Sequence, residues 1–457
     1  MRDGDTPAGV GVGQRPGTAG RGLLRRMRPG LGAVAAALVL AAAGSAPPPS
    51  PALTEIGFLA TSAQGQRHLL ADGRLFVAGI RPQQAVLLSA YQPGSGERLW
   101  SVEHEGDVNL ATELRYAEGV LLAVLVDGRS GQIGTTAFSA ADGMRLWSRP
   151  GQVIKLDGRT GLVTEQIFPP GSRLAGPDFS PESFDGEVYH DDSTGETYAE
   201  SEIGTTAYAI DLRSNGVLWS APNLTSVTPI PGVDPGLLVV AGDGATEVWD
   251  PRTRVVRHRL DGASTWLVLD LIEEVMLLAR GEADVTGYSA GTLRPVWQTT
   301  LPGDGWLDWC GELLCYGLPS GLRAGHPGTG AVGWRIYEAV TFRRLAGHLV
   351  ERELDTGAPP SVAAGLRRTV RPETGETVGD LTGWQTYSTF SDGSASLLTR
   401  RAGGGPARTW IGLLEPGATS VRVLGVVPYG LSACAVGEGV VVCRVSSGGL
   451  GIWRLRT

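Results

Sequence analysis

Short runs of alternating apolar and polar residues recur along the chain from about residue 53 onward, and they come in pairs. RHLLADGRLFVAGI, TELRYAEGVLLAVLV and LSACAVGEGVVVCRV each alternate on both sides of a Gly-containing turn, which reads as a β-hairpin. Behind the hairpins comes a phrase that ends on a strand carrying Trp. The clearest copies are AYQPGSGERLW ending at Trp100, AFSAADGMRLW at Trp147, AIDLRSNGVLW at Trp219 and AGHPGTGAVGW at Trp334. VWDPRTRVVRH at His258 and GYSAGTLRPVW at Trp297 are looser, and TVRPETGETVG at Gly379 and LLEPGATSVRV at Val423 are the weakest. The copies follow one another at 47, 72, 39, 39, 37, 45 and 44 residues. A period of about 40–45 residues with turn signals inside each unit predicts a radial array of four-stranded sheets, a β-propeller. A sandwich also has many short strands, but its turns need not recur in phase with one residue type.

The phase lock has a physical reading. Ten residues before the anchor stands a small residue, Ala90, Ala137, Ala209 or Ala324; four before it stands Gly96, Gly143, Asn215 or Gly330. These last four tolerate positive φ, as a tight turn requires. An indole laid against an alanine can cover the joint between neighbouring blades, so Trp100, Trp147, Trp219, Trp297 and Trp334 are read as blade-docking residues. Where His258 or Gly379 holds that place, the joint should be looser. The last hairpin is followed by GLGIWRLRT, a third strand with no fourth, and the first unit is preceded by a spare strand in ALTEIGFLATS. We expect this amino-terminal strand to complete the final blade and close the ring, which removes exposed sheet edges. Hairpin counting reaches nine units; because the units around Gly379 and Val423 are poorly marked, the expectation is eight blades, with seven to nine open.

The phrase A-x-D-x-x-T-G-x-x-x-W is the repeat signature of quinoprotein-type propellers. Gly-Thr-Gly330 to Trp334, and Ala209, Asp211 and Trp219, resemble it. The resemblance covers residues 53–457. That family includes quinone-dependent dehydrogenases, the propeller lipoprotein of the outer-membrane assembly machinery, and many propellers with no known ligand. In its quinone-binding members adjacent cysteines face the cofactor, and Glu, Asn and Asp hold calcium. This sequence has no adjacent cysteines, so no cofactor residue carries over and no cofactor is expected. High Arg, Gly and Ala with a single lysine, Lys155, and Pro-Pro-Pro after one apolar segment are similar to membrane-anchored actinobacterial members.

Those prolines follow an address. Residues 1–28 form an Arg- and Gly-rich tail with Arg2, Arg15, Arg21, Arg25, Arg26 and Arg28 against Asp3 and Asp5. Residues 29–46 contain an uncharged apolar run, 47–52 are a Pro-rich linker, and the propeller occupies 53–457. The run spans about 26 Å as a helix, just short of a ~30 Å hydrocarbon core. It suits a retained transmembrane anchor, because the preceding tail is long and Pro47, Pro48 and Pro49 crowd the cleavage site. A removed signal peptide stays open, since Ala41-x-Ala43 permits cleavage. Either way the arginines stay in the cytoplasm and the rest is exported: a single-pass cell-membrane protein with an extracytoplasmic propeller, or a secreted one.

Composition narrows the partners. Gly and Pro number 67 and 29 of 457 residues, a heavy turn load without a collagen period. With 42% hydrophobic residues a large core is affordable, which rules out wholesale disorder. Six of 39 basic and two of 47 acidic residues lie in 1–51, which leaves 33 and 45 in the exported part. An acidic surface argues against nucleic acid as a partner.

Four cysteines sit in two hairpins. Cys310 and Cys315 flank one turn, Cys434 and Cys443 another, and in an oxidising compartment local disulfides are the expectation. Free thiols and a zinc site are the alternatives; zinc would need thiolates from different blades to converge. The 72-residue spacing between Trp147 and Trp219 contains an acidic insertion at about 168–204 with Tyr189 and Tyr198. It reads as a solvated loop, a partner-binding loop, or a cation site through His190, Asp191, Asp192 and Glu196, whose spacing matches no known calcium loop. His68, His104, His190, His258, His326 and His348 have no ligand spacing. No catalytic residue or metal site is assigned. The expected function is a non-enzymatic, membrane-anchored scaffold, a monomer that binds an unknown protein or cell-envelope ligand. The alternative is a quinone-dependent oxidoreductase, which rests on resemblance alone.

Overall fold

The computed structural model describes residues 52–456, except 60–63, 81–84, 105–107, 128–132, 168–186, 192–195, 201–203, 231–236, 243–244, 261–265, 273, 281–283, 301–305, 311–312, 319–320, 327, 337–339, 354–364, 390–394 and 403–407. The expectations for residues 1–51 fall outside it. All regular structure among the described residues is β, and no described helix is long and apolar enough to cross a membrane. The strands form seven four-stranded antiparallel sheets, one seven-stranded sheet and a separate two-stranded hairpin.

The seven-stranded sheet is two sets of four that share one strand. Val217–Ile230 pairs through residues 217–224 with Gly204–Asp211 and through 224–230 with Leu237–Gly242. Asn223, at φ 58°, marks the change of partner. The strands therefore fall into nine sets of four, in the ranges 64–104, 108–150, 152–224, 224–260, 266–300, 306–336, 340–380, 385–427, and 431–455 together with Leu53–Leu59. Both poorly marked stretches have four strands of their own, and nine sets lie within the seven to nine left open. The ninth set takes its outer strand from the start of the fold: Leu53 faces Leu455 and Leu59 faces Leu450.

The core lies between sets rather than inside them. A sheet with neighbours against both faces can carry an apolar run in its second strand, as in the VLLAVLV of Val120–Asp127 and LLVVAG at Leu237–Gly242. Clusters span consecutive sets: Leu88 and Trp100 with Leu121 and Phe138, then Val120 and Trp147 with Val163 and Ile210. The last set meets the first in the same way, through Val442 and Ile452 against Leu75 and Val77.

One irregularity repeats. Ala90 faces Trp100 but Tyr91 faces Arg98, so Leu99 is an extra residue in the outer strand, a β-bulge. The same step leaves Leu146, Leu218, Arg257, Val296, Gly333, Val378 and Leu424 unpaired in later sets, and Ile56 in the ninth. At these bulges Leu99, Leu218, Val296 and Val378 are exposed, whereas Leu424 is buried.

Candidate functional site

Each anchor indole works in two directions. Within its own sheet it lies opposite the small residue ten positions earlier: Ala90–Trp100, Ala137–Trp147, Ala209–Trp219 and Ala324–Trp334, with Gly287 opposite Trp297. Towards the next set Trp100, Trp147, Trp219 and Trp334 each donate a hydrogen bond to a turn carbonyl. Trp100 Nε1 donates to Ala140 at 3.0 Å, Trp147 to Leu212 at 2.7 Å, Trp219 to Pro251 at 2.8 Å and Trp334 to Pro372 at 2.6 Å. Every acceptor sits seven residues before the next anchor position. The indole face then covers the glycine of that turn. A β-carbon on Gly143 would stand 2.6 Å from Trp100, one on Gly330 3.0 Å from Trp297, and one on Gly375 2.8 Å from Trp334. The sequence shows the alanine and the glycine, but not that the glycine belongs to the neighbouring set's joint.

The turns share one geometry. Gly96, Gly143, Asn215, Arg254, Leu293, Gly330 and Gly375 each donate their backbone N–H to the carbonyl four residues back, at 2.7–2.8 Å. All have positive φ, between 55° and 76°. Aspartates hold two of these turns from inside. Asp211 Oδ1 accepts from the backbone N–H groups of Arg213 and Ser214 and from the Ser214 hydroxyl. These bonds hold its carboxyl below the usual value. Burial pushes the Asp250 carboxyl up, but hydrogen bonds from Arg257 and from the N–H groups of Arg252 and Thr253 outweigh it, and the net shift is downward.

Three consecutive joints lack the indole. Pairing puts Gly379 in the anchor place of the seventh set, Gly425 rather than Val423 in that of the eighth, and Gly57 in that of the ninth. The joint expected to be loose at Gly379 is instead close, because the Thr419 carbonyl of the next turn presses where a side chain would begin. Buried Trp384, just ahead of the eighth set, fills the remaining space with Leu381 and Leu398. Trp453 packs between the eighth and ninth sets. Leu59 reaches Gly96 at the closing joint. At His258 the imidazole packs on buried Tyr288 of the next set, ring centroids 6.2 Å apart. Trp384, Trp453 and Leu59 do not stand in phase with the repeat, so the pattern gives no sign of them.

At the closing joint Gly73 N–H donates to Glu438 at 2.8 Å. His68 lies there with its Nε2 buried and without a hydrogen-bond partner. Burial, with the Arg444 charge and to a lesser degree Arg67, lowers its pKa to about 4, against the opposing hydrogen bond with the Val442 backbone.

Cys434 and Cys443 form a disulfide with a Cα–Cα distance of 4.0 Å. Ser432 faces Arg444 and Ala435 faces Val442, so Ala433 and Cys434 make a bulge opposite Cys443. Ala433 has φ 44°, which turns Cys434 onto its partner. Buried Cys315 is disulfide-bonded too, and no cysteine is free among the described residues. Cys310 ends its strand opposite Leu313, and its side chain lies outside the described residues.

The insertion leaves the third set after Ile167 and returns at Gly204, which face each other across the sheet. Within it Glu187–Asp191 and Glu196–Glu200 form a hairpin that places Tyr189 opposite Tyr198. Regular structure thus replaces part of the expected loop. Asp192 and the side chains of His190, Asp191 and Glu196 lie outside the described residues, and among those described no group of three His, Cys, Asp or Glu converges. At the root of the insertion is a cavity of about 220 Å³. Its walls are Ile133 and Pro150 of the second set, Gln152, Thr164, Glu165, Gln166 and Thr205 of the third, and Val227 of the fourth.

Residues 45–168 match the family model of the outer membrane protein assembly factor BamB, over the first sets of this repeating architecture. Over that stretch the chain is similar to a PQQ-like repeat. Solved structures similar to this propeller include BamB from Moraxella catarrhalis, 12% identical with a TM-score of 0.39, over 88% of this chain and 97% of that one. The computationally designed Ika8 protein is 13% identical with a TM-score of 0.43, over 78% and 99%. A europium-containing methanol dehydrogenase is 11% identical with a TM-score of 0.41, over 88% and 86%. No curated protein matches the propeller.

Proposed function

We propose that this propeller is a non-enzymatic binding scaffold: a ring of nine blades, closed by Leu53–Leu59, exported and held at the membrane by residues 29–46. Its working face is the one that carries the acidic insertion. The observation behind this reading is the contrast within the third set. Its sheet is docked on both sides by indole-to-carbonyl bonds, from Trp147 to Leu212 and from Trp219 to Pro251. From that rigid sheet a separate two-stranded hairpin departs on the side away from the anchor turn. A loop on a stiff frame is the usual way a repeat fold presents a partner site. A protein or cell-envelope ligand is the expected partner, and a monomer the expected state.

Proximity cross-linking in the native cell envelope tests it. One recurrent protein, captured by the full chain and lost on deletion of 168–203, is the expected outcome. Capture no greater than that of an inert membrane-anchored control overturns it. Saturable pyrroloquinoline quinone binding with calcium-dependent alcohol oxidation would replace it with the oxidoreductase reading.

A further inference from the structure

The pair of residues beside each anchor place changes character late in the chain. One residue past the anchor, the outer strand faces a partner in the third strand, and strand alternation turns this pair away from the joint that the anchor covers. In the first seven sets both members of the pair carry a hydroxyl, an amide or a charge. The Ser89 and Ser101 hydroxyls are hydrogen-bonded at 2.9 Å, and Glu247 and Arg259 form an ion pair at 2.8 Å. The eighth set instead has Trp410 opposite Val426, and the ninth has Gly451 opposite Phe58. Trp410, Val426 and Phe58 are 40%, 42% and 45% exposed.

Arginines gather at the same end of the eighth sheet. Arg400 lies opposite Trp410 from the second strand, and Arg401 opposite Thr409. Ala402 N–H donates to the Arg408 carbonyl at 3.0 Å, which brings Arg408 beside them. All three arginines are exposed. Arg400 passes Gly383, its Nε 3.3 Å from where a β-carbon would stand. Against the three stands Asp380: hydrogen bonds from Thr382, and beyond them the Arg400 charge, hold its carboxyl below the usual value. Arg401 and Arg408 make no side-chain hydrogen bond or ion pair among the described residues. The corner is therefore cationic, in an exported part whose acidic residues outnumber its basic ones.

Aromatic rings and a valine fringed by guanidinium groups suit a headgroup layer. Indole and phenyl rings settle at such a boundary, arginine stems lie along it, and their charges meet lipid phosphates. A folded partner matches less well, because three side chains less than half exposed offer far below the ~800 Å² per partner of a standard interface. A second copy meets the same shortfall and brings the same positive charge. The acidic insertion, which anionic headgroups repel, leaves from the third set, five sets earlier in the chain.

We infer that this corner of the eighth and ninth sets contacts an anionic bilayer surface, with Trp410, Val426 and Phe58 entering the headgroup layer and Arg400, Arg401 and Arg408 facing its phosphates. The inference goes beyond the scaffold reading, which does not say what part of the fold lies on the membrane. The test introduces a labelling site into the full-length protein by Val426→Cys and, as a control, by Val296→Cys at a residue 52% exposed in the fifth set. No described native cysteine is free to take the label. A nitrobenzoxadiazole label is read with vesicles of phosphatidylcholine alone and of equimolar phosphatidylcholine and phosphatidylglycerol. With the anionic vesicles, emission at Val426→Cys should rise two-fold or more and shift to the blue, while Val296→Cys stays unchanged. Arg400→Gln/Arg401→Gln/Arg408→Gln should remove the response, and so should high salt. No response at Val426→Cys overturns the inference, as does an equal response at both positions, an equal response to phosphatidylcholine alone, or one that survives the arginine variant. A response without vesicles that grows with protein concentration also overturns it, in favour of a contact between copies; a response to soluble polyglutamate does so in favour of an acidic protein. Should the arginine variant melt early, the salt titration decides in its place. Sedimentation with the vesicles reports the 29–46 anchor separately: protein that sediments while its label stays unchanged keeps the anchor and loses this contact.

Discussion

A methyl group added to Gly143 and one added to Gly417 make a controlled pair. Both glycines have positive φ, 76° and 73°. Alanine at either position meets the left-handed penalty of about 1–2 kcal/mol. Only at Gly143 does the methyl meet an indole; around Gly417 there is open space. Gly143→Ala should therefore cost roughly 1–3 kcal/mol more than Gly417→Ala in urea unfolding, and equal losses would refute the docking role. Trp100→Ala should cost about 3–5 kcal/mol, whereas Val423→Ala, at a residue 48% exposed, should stay within about 0.5 kcal/mol. His68 adds a pH signature. Its folded pKa of about 4 lies below the ordinary 6.5. The unfolded chain therefore takes up a proton first, and stability is complete above pH 6.5 and falls as pH drops towards 4. His68→Gln should flatten that limb by roughly 2–3 kcal/mol; an unaltered slope between pH 4 and 6.5 would show that the imidazole is not held neutral.

At the scale of the element, the turn is the conserved piece of machinery within this chain, and its aspartates give it an acid limit. Asp211 and Asp250 have folded pKa values below the ordinary 3.8. The unfolded chain binds protons more readily, so their contribution is full above pH 3.8 and disappears as pH falls through the lowered folded values. Asp250→Asn should lower stability at neutral pH and make the acid limb shallower, read as melting temperature against pH from 2 to 5. The repeat was legible at this scale because the turn is local: the glycine, the aspartate and the anchor lie within eleven residues of one another. The places of Trp384, Trp453 and Leu59 were not legible, because each is set by the neighbouring sheet. The position of Gly425 was hidden for a related reason. A turn four residues longer shifted the anchor place past Val423, and only the pairing with Ile411 reveals it. The cavity left no local signal at all, since its walls come from three sets.

Across the whole molecule, the joints are unequal. Six successive anchor places, from Trp100 to Trp334, carry an aromatic ring, and the next three carry glycine. The disulfide between Cys434 and Cys443 lies in that glycine arc. Its removal by Cys434→Ala/Cys443→Ala should cost roughly 2–3 kcal/mol in the chain-entropy model. Hydrogen exchange should then quicken first in Leu53–Leu59 and 431–455, and only later in 108–150; uniform acceleration would mean that the arc is no weaker than the rest. Eight blades, with seven to nine open, are the expectation because two units are poorly marked and one of them could be a misreading. Their faintness is this same loss of tryptophan, a change of joint chemistry rather than of strand number.

The pairing of Leu53–Leu59 with Leu450–Leu455 also sets how the fold bears a mechanical load. A pull from the side of residue 53 acts on the outermost strand of the last sheet. It is shared between that strand's hydrogen bonds to Leu450–Leu455 and the backbone that runs on to the first set. Both routes load the joint between the last set and the first. There the Cys434–Cys443 bridge ties the innermost strand of the same sheet to its neighbour, like a rivet set behind a clasp.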